Sequence, residues 1–291
     1  MYKLVAVDLD GTLVNSNGEI TQNTKKVLES VQQKGVQIMI ASGRPIDSIK
    51  TIANEINSKK FFIAGNGAII YDIENEKVVY EKYISKNKVL EIAKICEENN
   101  IAYNIYTEEN IITKELKYNV LYYYKENLKK DANKKTKIMI VDNMIDYIKK
   151  SQNFKCLKIT VCDENKTIFK SITRRLKEIE NIDVMDVSHM SRKMFKQGTE
   201  DVPIEYFYTE ISSTQVDKWQ AIKYLLPILQ INPEEVICIG DNINDKEMIE
   251  NSGLGICMGQ STPVIKQISD YITDTNAEDG VAKILGKVIL N

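Results

Sequence analysis

The chain has 291 residues, which is enough for one large or two ordinary domains, and 43% of them are apolar, which excludes wholesale disorder. Its 39 basic and 41 acidic residues leave a net charge of −2, so we expect no binding to nucleic acid or to an anionic membrane surface. No apolar run approaches the ~20 residues that span a bilayer, and the N-terminus does not resemble a signal peptide.

The cysteine and histidine content narrows the chemistry. The 5 cysteines are odd in number and include no Cys-x-x-Cys pair, which predicts reduced thiols and a cytoplasmic protein. The single histidine, His189, is expected to be structural or at the surface. An enzyme of this composition would therefore use mainly carboxylates as acids and bases, and nothing indicates an obligate protein partner.

The first predicted strand ends in two carboxylates. The apolar run 4–7 is typical of a strand buried on both faces of a parallel sheet, and Asp8 and Asp10 follow it directly. Gly11 can then turn the chain sharply. Ligands bind doubly wound sheets at this end of the strands. An EF-hand loop is excluded because a strand precedes the aspartates and the glycine comes too early, but a plain turn is an alternative.

The next strand predicts an anion site at the same sheet edge. A helix is expected over 21–34 and a second buried strand over 36–41, which ends at Ser42. Pro45 suits the first turn of a helix over 46–56. A hydroxyl beside the free N–H groups of a helix N-terminus favours an anion, so Ser42 is either a phosphate ligand or a simple helix cap.

The third strand completes a recognisable order of elements. It is predicted over 61–64 and is followed by Gly-Asn-Gly at 65–67 and by a hairpin with strands over 68–71 and 77–80. Strands and helices alternate up to this point. We therefore predict an α/β fold whose core is a Rossmann-like, doubly wound parallel sheet.

From about residue 84 the pattern changes to mixed helices and short strands. Helices are predicted over 89–99, 116–128, 144–150 and 167–179, and strands over 101–106, 110–113, 137–141, 157–161 and 204–211. The polar segment 188–203 is predicted to be a loop. We expect an inserted α+β cap domain over 84–212, and a core formed by 1–83 and 213–291.

Two features of this insert have competing interpretations. The Lys-rich run 125–137 is typical of a solvated helix end and loop, with a nucleic-acid patch as the alternative. Tyr122, Tyr123 and Tyr124 could offer an aromatic wall to a substrate. Three consecutive residues cannot share one helix face, however, which counts against this role without excluding it.

The C-terminal part returns to the first pattern. Lys218 lies near the start of a helix predicted over 216–229, and a buried strand over 236–239 leads to Asp241, Asn244 and Asp245. The two aspartates are four residues apart, so they can lie on neighbouring turns. The remaining elements are a helix ending at 251, two short strands over 253–258 and 271–273, and a final helix over 278–285.

These strand ends bring together acids, anion donors and a lysine. Carboxylates that converge in a dry cleft repel one another unless a cation joins them. Oxygen ligands of this kind suit Mg²⁺, which commonly binds a few carboxylates, waters and a substrate phosphate. Lys218 and Ser42 supply donors for phosphate oxygens. The combination is typical of phosphoryl transfer.

Four segments of this chain resemble, in order, the four motifs of the haloacid dehalogenase superfamily. They are Asp8-x-Asp10-Gly-Thr12, Ser42-Gly43-Arg44, Lys218 and Gly240-Asp241-x-x-Asn244-Asp245. Three further segments resemble the Cof-type sugar-phosphatase branch, whose members carry a type-two (C2B) cap between motifs two and three. These are Asn66-Gly67-Ala68, Met258-Gly259 and the run Asn276-Ala277-Glu278-Asp279-Gly280-Val281.

The resemblance implies a role for each acidic residue. Asp8 would be the nucleophile that forms an aspartyl-phosphate. Asp10 would protonate the leaving oxygen and then activate water. Mg²⁺ would be bound by the side chains of Asp8 and Asp241 and by the main-chain carbonyl of Asp10. Asp245 would orient Lys218 or a water on the metal.

The resemblance also implies which residues hold the substrate. Arg44 and Asn66 would meet the substrate body. The phosphate group would be held by Leu9, Thr12, Ser42, Gly43, Lys218 and Asn244.

The expected function is that of a Mg²⁺-dependent phosphatase of small phosphorylated metabolites, such as sugar phosphates. Asp10 favours turnover, since relatives that stop at the phosphoenzyme lack an acid at this position. The alternatives are a phosphomutase and a non-catalytic binding module. The chain departs from the family pattern at Trp219, where glycine is usual, and at Gln260 and Ser261, where Asn-Ala is frequent.

Overall fold

The computed structural model describes residues 1–15, 17–128, 135–185, 190–197 and 200–290. The chain divides into two compact units. Unit 1 consists of Met1–Glu81 and Val216–Asn291, and unit 2 of Lys82–Gln215. None of the described helices is both long and apolar enough to cross a lipid bilayer.

The secondary structure alternates between short strands and helices along most of the chain. The strands are β1 Leu4–Val7, β2 Gln37–Ile40, β3 Phe61–Ala64, β4 Ile69–Asp72, β5 Lys77–Glu81, β6 Ala102–Tyr106, β7 Ile111–Thr113, β8 Ile138–Ile140, β9 Lys158–Asp163, β10 Ile182–Val184, β11 Ser191–Gln197, β12 Glu200–Ser213, β13 Val236–Gly240, β14 Leu254–Cys257 and β15 Tyr271–Ile272. The α-helices are α1 Gln22–Gln33, α2 Ile46–Glu55, α3 Lys86–Glu98, α4 Tyr118–Asn127, α5 Met144–Lys150, α6 Lys166–Leu176, α7 Lys218–Leu229, α8 Lys246–Asn251, α9 Pro263–Ile268 and α10 Gly280–Leu285.

A parallel sheet forms the centre of unit 1. Its strand order is β15-β14-β13-β1-β2, and every neighbouring pair is parallel. Val7, the last residue of β1, is in register with Ile40 of β2 and Ile239 of β13. The chain leaves these three strands at the same edge of the sheet. The residues that follow β1, β2 and β13 are therefore brought close together.

Apolar packing covers both faces of this sheet. Leu4 and Ala6 of β1 belong to a core cluster that includes Trp219 and Ile222 of α7. Val5, which alternates with them and therefore points to the opposite face, is also completely buried. On the edge near β2, α1 packs against that strand and against α10. The predicted fold class, a doubly wound parallel sheet core, is confirmed.

Unit 2 is a mixed α+β structure around a second sheet. Its strand order is β10-β12-β9-β6-β7-β8, with β11 paired to β12. The pairs are antiparallel except for β7 and β8. One face packs against helices α3, α5 and α6 in a cluster that contains Ile105, Ile159, Val89, Ile148 and Ile172. The α+β character expected of the insert is present.

The prediction that residues 188–203 form a loop is wrong for the described part of this segment. Here β11 and the first half of β12 form an antiparallel hairpin, in which Ser191 faces Tyr206. Arg192 pairs with Glu205 across it, with the Nε and Oε1 atoms 3.2 Å apart. The strands are stabilised by pairing with each other, which a search for alternating apolar residues does not detect. His189 and Gly198 lie outside the described residues.

The tyrosine run lies on α4. Tyr122 and Tyr123 make an edge-to-face contact, with ring centroids 6.0 Å apart, while Tyr124 is exposed. Asn127 ends the helix by accepting a hydrogen bond from the backbone N–H of Thr136 at 2.8 Å. Residues 129–134 of the Lys-rich run lie outside the described residues. Besides β11, the elements β10 and α9 were not predicted.

Candidate active site at the carboxyl ends of the parallel strands

Asp8 follows β1 into a tight turn and is buried. The Thr12 N–H donates to the Leu9 carbonyl at 3.2 Å, and the Leu13 N–H donates to the Asp8 carbonyl at 3.2 Å. Gly11 sits in this turn at φ +84°, a left-handed conformation that glycine adopts without strain. The turn keeps the Asp8 side chain at the sheet edge and brings Thr12 back towards it.

Lys218 connects two of the predicted carboxylates. It is the first residue of α7, and its side chain is completely buried. Its Nζ donates to Asp8 Oδ1 at 2.5 Å and to Asp245 Oδ1 at 2.6 Å. Burial by itself lowers the pKa of this ammonium, but Asp245 and Asp8 outweigh burial and raise the pKa above its usual value. The lysine therefore stays charged.

Asp245 holds both Lys218 and the loop after β13. While Oδ1 accepts from Lys218, Oδ2 accepts from the backbone N–H groups of Asp241 at 2.9 Å and Asn242 at 3.0 Å. Both oxygens are thus used, and the residue is completely buried. This geometry fits the predicted supporting role better than that of a metal ligand.

Asp241 completes a cluster of carboxylates. Oxygen atoms of Asp8, Asp241 and Asp245 lie within 4.8 Å of one another. Burial raises the pKa of the Asp8 carboxyl to about 7, and repulsion from Asp245 and Asp241 adds to this against the pull of Lys218. The pKa of the Asp241 carboxyl is also raised to about 7, by burial and then by Asp245. Two of the three carboxyls therefore gain protons readily unless another cation is present.

These residues fit a hard divalent cation. Lys218 supplies one positive charge to three carboxylates, which leaves negative charge to be balanced. Asp8 and Asp241 offer oxygen atoms of the kind that such ions prefer. The Thr12 hydroxyl donates to Asp241 Oδ1 at 3.4 Å and so orients that side chain.

Ser42 lies at the same edge, at the end of β2. It is buried, its N–H donates to the Ile63 carbonyl at 2.9 Å, and its Oγ accepts from the Arg44 N–H at 3.2 Å. Asn66 is held nearby, because its N–H donates to the Ser42 carbonyl at 3.0 Å and its Oδ1 accepts from Asn244 Nδ2 at 3.1 Å. Asn66 and Asn244 thus connect the loops after β3 and β13.

Gly43 lies against the Asn66 side chain. A Cβ added there would be 2.8 Å from Asn66 Oδ1. The absence of a side chain therefore allows the loop after β2 to approach the loop after β3. Leu9, whose amide was predicted to bind phosphate, is completely buried in the turn after β1.

The side chain of Asp10 lies outside the cluster formed by the other three acids. Its side chain is 62% exposed and forms a two-pronged ion pair with Arg44. Arg44 Nε donates to Asp10 Oδ2 at 2.8 Å, and Arg44 Nη2 donates to Asp10 Oδ1 at 2.5 Å. The structure thus brings Arg44 to Asp10, a contact that was not predicted.

Two glycines in the site were also missed as site residues. A Cβ on Gly67 would lie 2.1 Å from the Asp217 carbonyl oxygen, immediately before Lys218. A Cβ on Gly240 would lie 2.4 Å from Asp245 Cβ. Gly67 allows close approach between segments that are far apart in sequence, whereas Gly240 allows the loop after β13 to fold back so that Asp245 packs against the end of its own strand. The signal that could have identified them as site residues is that both lie within the motif segments quoted above.

Two residues that depart from the family pattern, Trp219 and Gln260, have structural explanations. Trp219, beside Lys218, is buried in the core cluster under the sheet. The Gln260 side-chain amide donates to the Gly11 carbonyl, in the turn that carries the aspartates. Asn276 Nδ2 donates to the Val14 carbonyl at 2.9 Å, so the Cof-type segment also holds this turn.

Comparison with known proteins identifies the family of the chain. The model of the haloacid dehalogenase-like hydrolase family matches residues 5–285. Phosphatase YwpJ of Bacillus subtilis is 27% identical, over 97% of this chain and 98% of that protein. The 5-amino-6-(5-phospho-D-ribitylamino)uracil phosphatase YcsE of the same organism is 25% identical, over 99% of this chain and 96% of that protein.

Solved structures show the same fold. A haloacid dehalogenase-like hydrolase from Bacteroides thetaiotaomicron has a TM-score of 0.74 and 27% identity, and the match covers 99% of this chain and 100% of that one. A haloacid dehalogenase-like hydrolase from B. subtilis has a TM-score of 0.78 and 24% identity, and the match covers 98% of this chain and 99% of that one. The resemblance predicted from the motifs is confirmed, and the chain belongs to the haloacid dehalogenase-like hydrolase family.

Proposed function

We propose that this protein is a Mg²⁺-dependent phosphatase of small phosphorylated metabolites, such as sugar phosphates. The observation that carries the proposal is the buried Lys218 ammonium between Asp8 and Asp245, with Asp241 in the same cluster. Acids that converge around one buried lysine are suited to a reaction whose catalysis rests on positioning and charge. The phosphatases from B. subtilis described above support the same reaction class.

In the first step, an oxygen of the Asp8 carboxylate attacks phosphorus. The bond between phosphorus and the ester oxygen breaks, and Asp10 gives that oxygen a proton. The products of this step are a free alcohol and an aspartyl-phosphate on Asp8. Lys218, already in contact with Asp8, stabilises the negative charge on the phosphoryl oxygens.

In the second step, water regenerates the enzyme. Asp10 is now a carboxylate and takes a proton from the water whose oxygen attacks phosphorus. The bond between phosphorus and the Asp8 oxygen breaks. Inorganic phosphate is released, Asp8 is a carboxylate again, and Asp10 carries the proton needed for the next substrate.

The side chains of Asp8 and Asp241 and the main-chain carbonyl of Asp10 would hold Mg²⁺. When bound, the ion offsets the repulsion between the carboxylates and an incoming phosphate. The pKa values of Asp8 and Asp241 are raised first by burial and then by the neighbouring carboxylates, and a bound cation would offset both effects, which supports this part of the proposal.

The remaining predicted residues would bind the substrate. The phosphate group is assigned to Leu9, Thr12, Ser42, Gly43, Lys218 and Asn244. Asn66 is assigned to the substrate body, because it lies between the loops that carry Ser42 and Asn244. We assign the role of a specificity cap to unit 2. A cytoplasmic location also belongs to the proposal, since the cysteines are buried, unpaired thiols.

Phosphate release from p-nitrophenyl phosphate tests the proposal. We expect turnover with Mg²⁺, loss of turnover with excess EDTA, and no turnover by Asp8→Asn, whose side chain keeps its size but is a far weaker nucleophile. Asp146→Asn is the matched control, because Asp146 is an exposed acid in the first turn of α5. It should retain full activity.

The outcomes separate this function from its alternatives. Full activity of Asp8→Asn, or none in the native protein with Mg²⁺, would contradict a phosphatase. Conversion of a sugar monophosphate to its isomer without phosphate release would indicate a phosphomutase. Binding of such a compound without any chemical change would indicate a binding module.

A further inference from the structure

The backbone of Arg44 is held in place by two hydrogen bonds. Its N–H donates to Ser42 Oγ at 3.2 Å, and its carbonyl accepts from the Gly65 N–H at 3.1 Å. These contacts fix the Arg44 backbone within the loop after β2 and against the loop after β3. The guanidinium group therefore starts from a fixed point close to the turn that carries Asp10.

The side chain of Arg44 uses this position to hold one carboxylate. Its Nε and Nη2 atoms contact the two different oxygens of Asp10, at 2.8 and 2.5 Å. The Nη1 atom lies 3.4 Å from Ser48 Oγ on α2. A two-pronged contact of this kind fixes the plane of the carboxylate as well as its position. One ammonium group cannot reproduce it.

This ion pair has little value for stability. The two side chains are 28% and 62% exposed, and ion pairs of this kind usually contribute little to stability because water screens them. An exposed aspartate would otherwise sample several rotamers. The effect of the pair is therefore on the orientation of Asp10.

We propose that Arg44 is a positioning residue for Asp10, and that it is not primarily a binding group for the substrate body. This inference rests on the proposed function, in which Asp10 transfers protons to and from the reacting oxygens. A proton-transfer group must lie within hydrogen-bonding distance of its target, so a freely rotating carboxylate would lose most of its effect.

Turnover of two aryl phosphates by Arg44→Gln and Arg44→Lys tests the inference. With phenyl phosphate, whose leaving group needs a proton, we expect kcat to fall about tenfold or more, since positioned acid–base groups contribute roughly 10²–10⁴-fold. With p-nitrophenyl phosphate, whose leaving group departs as an anion, the loss should be smaller. KM should change little, and lysine should restore no more activity than glutamine.

A double-mutant cycle shows whether Arg44 acts through Asp10. In an Asp10→Asn background, Arg44→Gln should cause little further loss of kcat, because the carboxylate that it orients is already absent. Lys25→Ala is the matched control. Lys25 pairs with Glu55 at 2.7 Å and is also 28% exposed, so its removal should alter neither kcat nor the pattern of leaving groups.

Several results would overturn the inference. They are a rise in KM at constant kcat, full activity of Arg44→Lys, equal losses with both substrates, or additive losses in the double mutant. If the native protein does not hydrolyse either compound with Mg²⁺, the proposed function fails instead. Unfolding by urea, measured on each variant, identifies any loss that arises from misfolding.

Discussion

Gly67 packs against the backbone at the start of α7, so replacing it with alanine tests whether the position of Lys218 governs activity. The residue has a φ of +104°, and an added Cβ would lie 2.1 Å from the Asp217 carbonyl oxygen. Real Cβ contacts stay beyond 3.0 Å, so Asp217 would have to move by about 0.9 Å. The obstacle is main chain and cannot rotate away as a side chain could.

The shift would be transmitted directly to the next residue. Lys218 Nζ contacts Asp8 at 2.5 Å and Asp245 at 2.6 Å. A displacement of about 0.9 Å would stretch these contacts to about 3.5 Å, beyond the normal hydrogen-bond range. A misplacement of roughly 1 Å can cost about 10²-fold in rate. We expect Gly67→Ala to lower kcat by about this factor.

The same substitution should destabilise the protein. The left-handed backbone costs alanine about 1–2 kcal/mol, and the clash costs about 1–3 kcal/mol. The free energy of unfolding should therefore fall by about 2–5 kcal/mol, which urea unfolding can measure. The assay of kcat with p-nitrophenyl phosphate must therefore be run under conditions in which the variant is fully folded.

Gly35→Ala is the matched control. Gly35 has a φ of +83°, but a Cβ there would meet nothing within 4 Å. Its free energy of unfolding should fall only by the cost of the left-handed backbone, about 1–2 kcal/mol, and its kcat should be unchanged. If folded Gly67→Ala keeps the native kcat, or loses no more stability than Gly35→Ala, the reasoning about Lys218 is refuted.

Four further predictions concern the metal site and the contact between α1 and α10. Without metal, thermal stability should fall as pH rises from about 4 to 7. The pKa values of the Asp8 and Asp241 carboxyls are raised in the folded protein, so over this range the folded state binds more protons than the unfolded state. Mg²⁺ should raise the melting temperature more at pH 8 than at pH 6; equal shifts would contradict this. Asp241→Asn should abolish the Mg²⁺-dependent shift without unfolding the protein, as calorimetry can check. Asp279→Ala should cost about 1–3 kcal/mol in urea unfolding, because its carboxylate accepts from the hydroxyls of Thr21 at 2.6 Å and Thr24 at 3.3 Å; a smaller loss would mean that these contacts do not tie α10 to α1.

The location of the site was predictable because its signals are local. Short apolar runs predicted the buried strands β1, β2 and β13, and in each case polar residues follow within a few positions. Parallel strands place their carboxyl ends at one edge, so Asp8, Ser42 and Asp241 could be placed together before any coordinates were known. A strand over 204–211 was predicted inside β12, but β11 and the start of β12 were missed because this part of the chain is largely polar and depends on cross-strand pairing.

The order of apolar runs and charged residues in this sequence was sufficient for the fold class, the family motifs and the gathering of acids around one lysine. Only the tertiary structure showed that Arg44 holds Asp10 by two hydrogen bonds, that Asp245 uses both of its oxygens, and that Gly67 touches the backbone before Lys218. The reason is physical. Periodicity depends on neighbours along the chain, whereas these contacts join segments up to about 150 residues apart, and their distances are set by how the core packs.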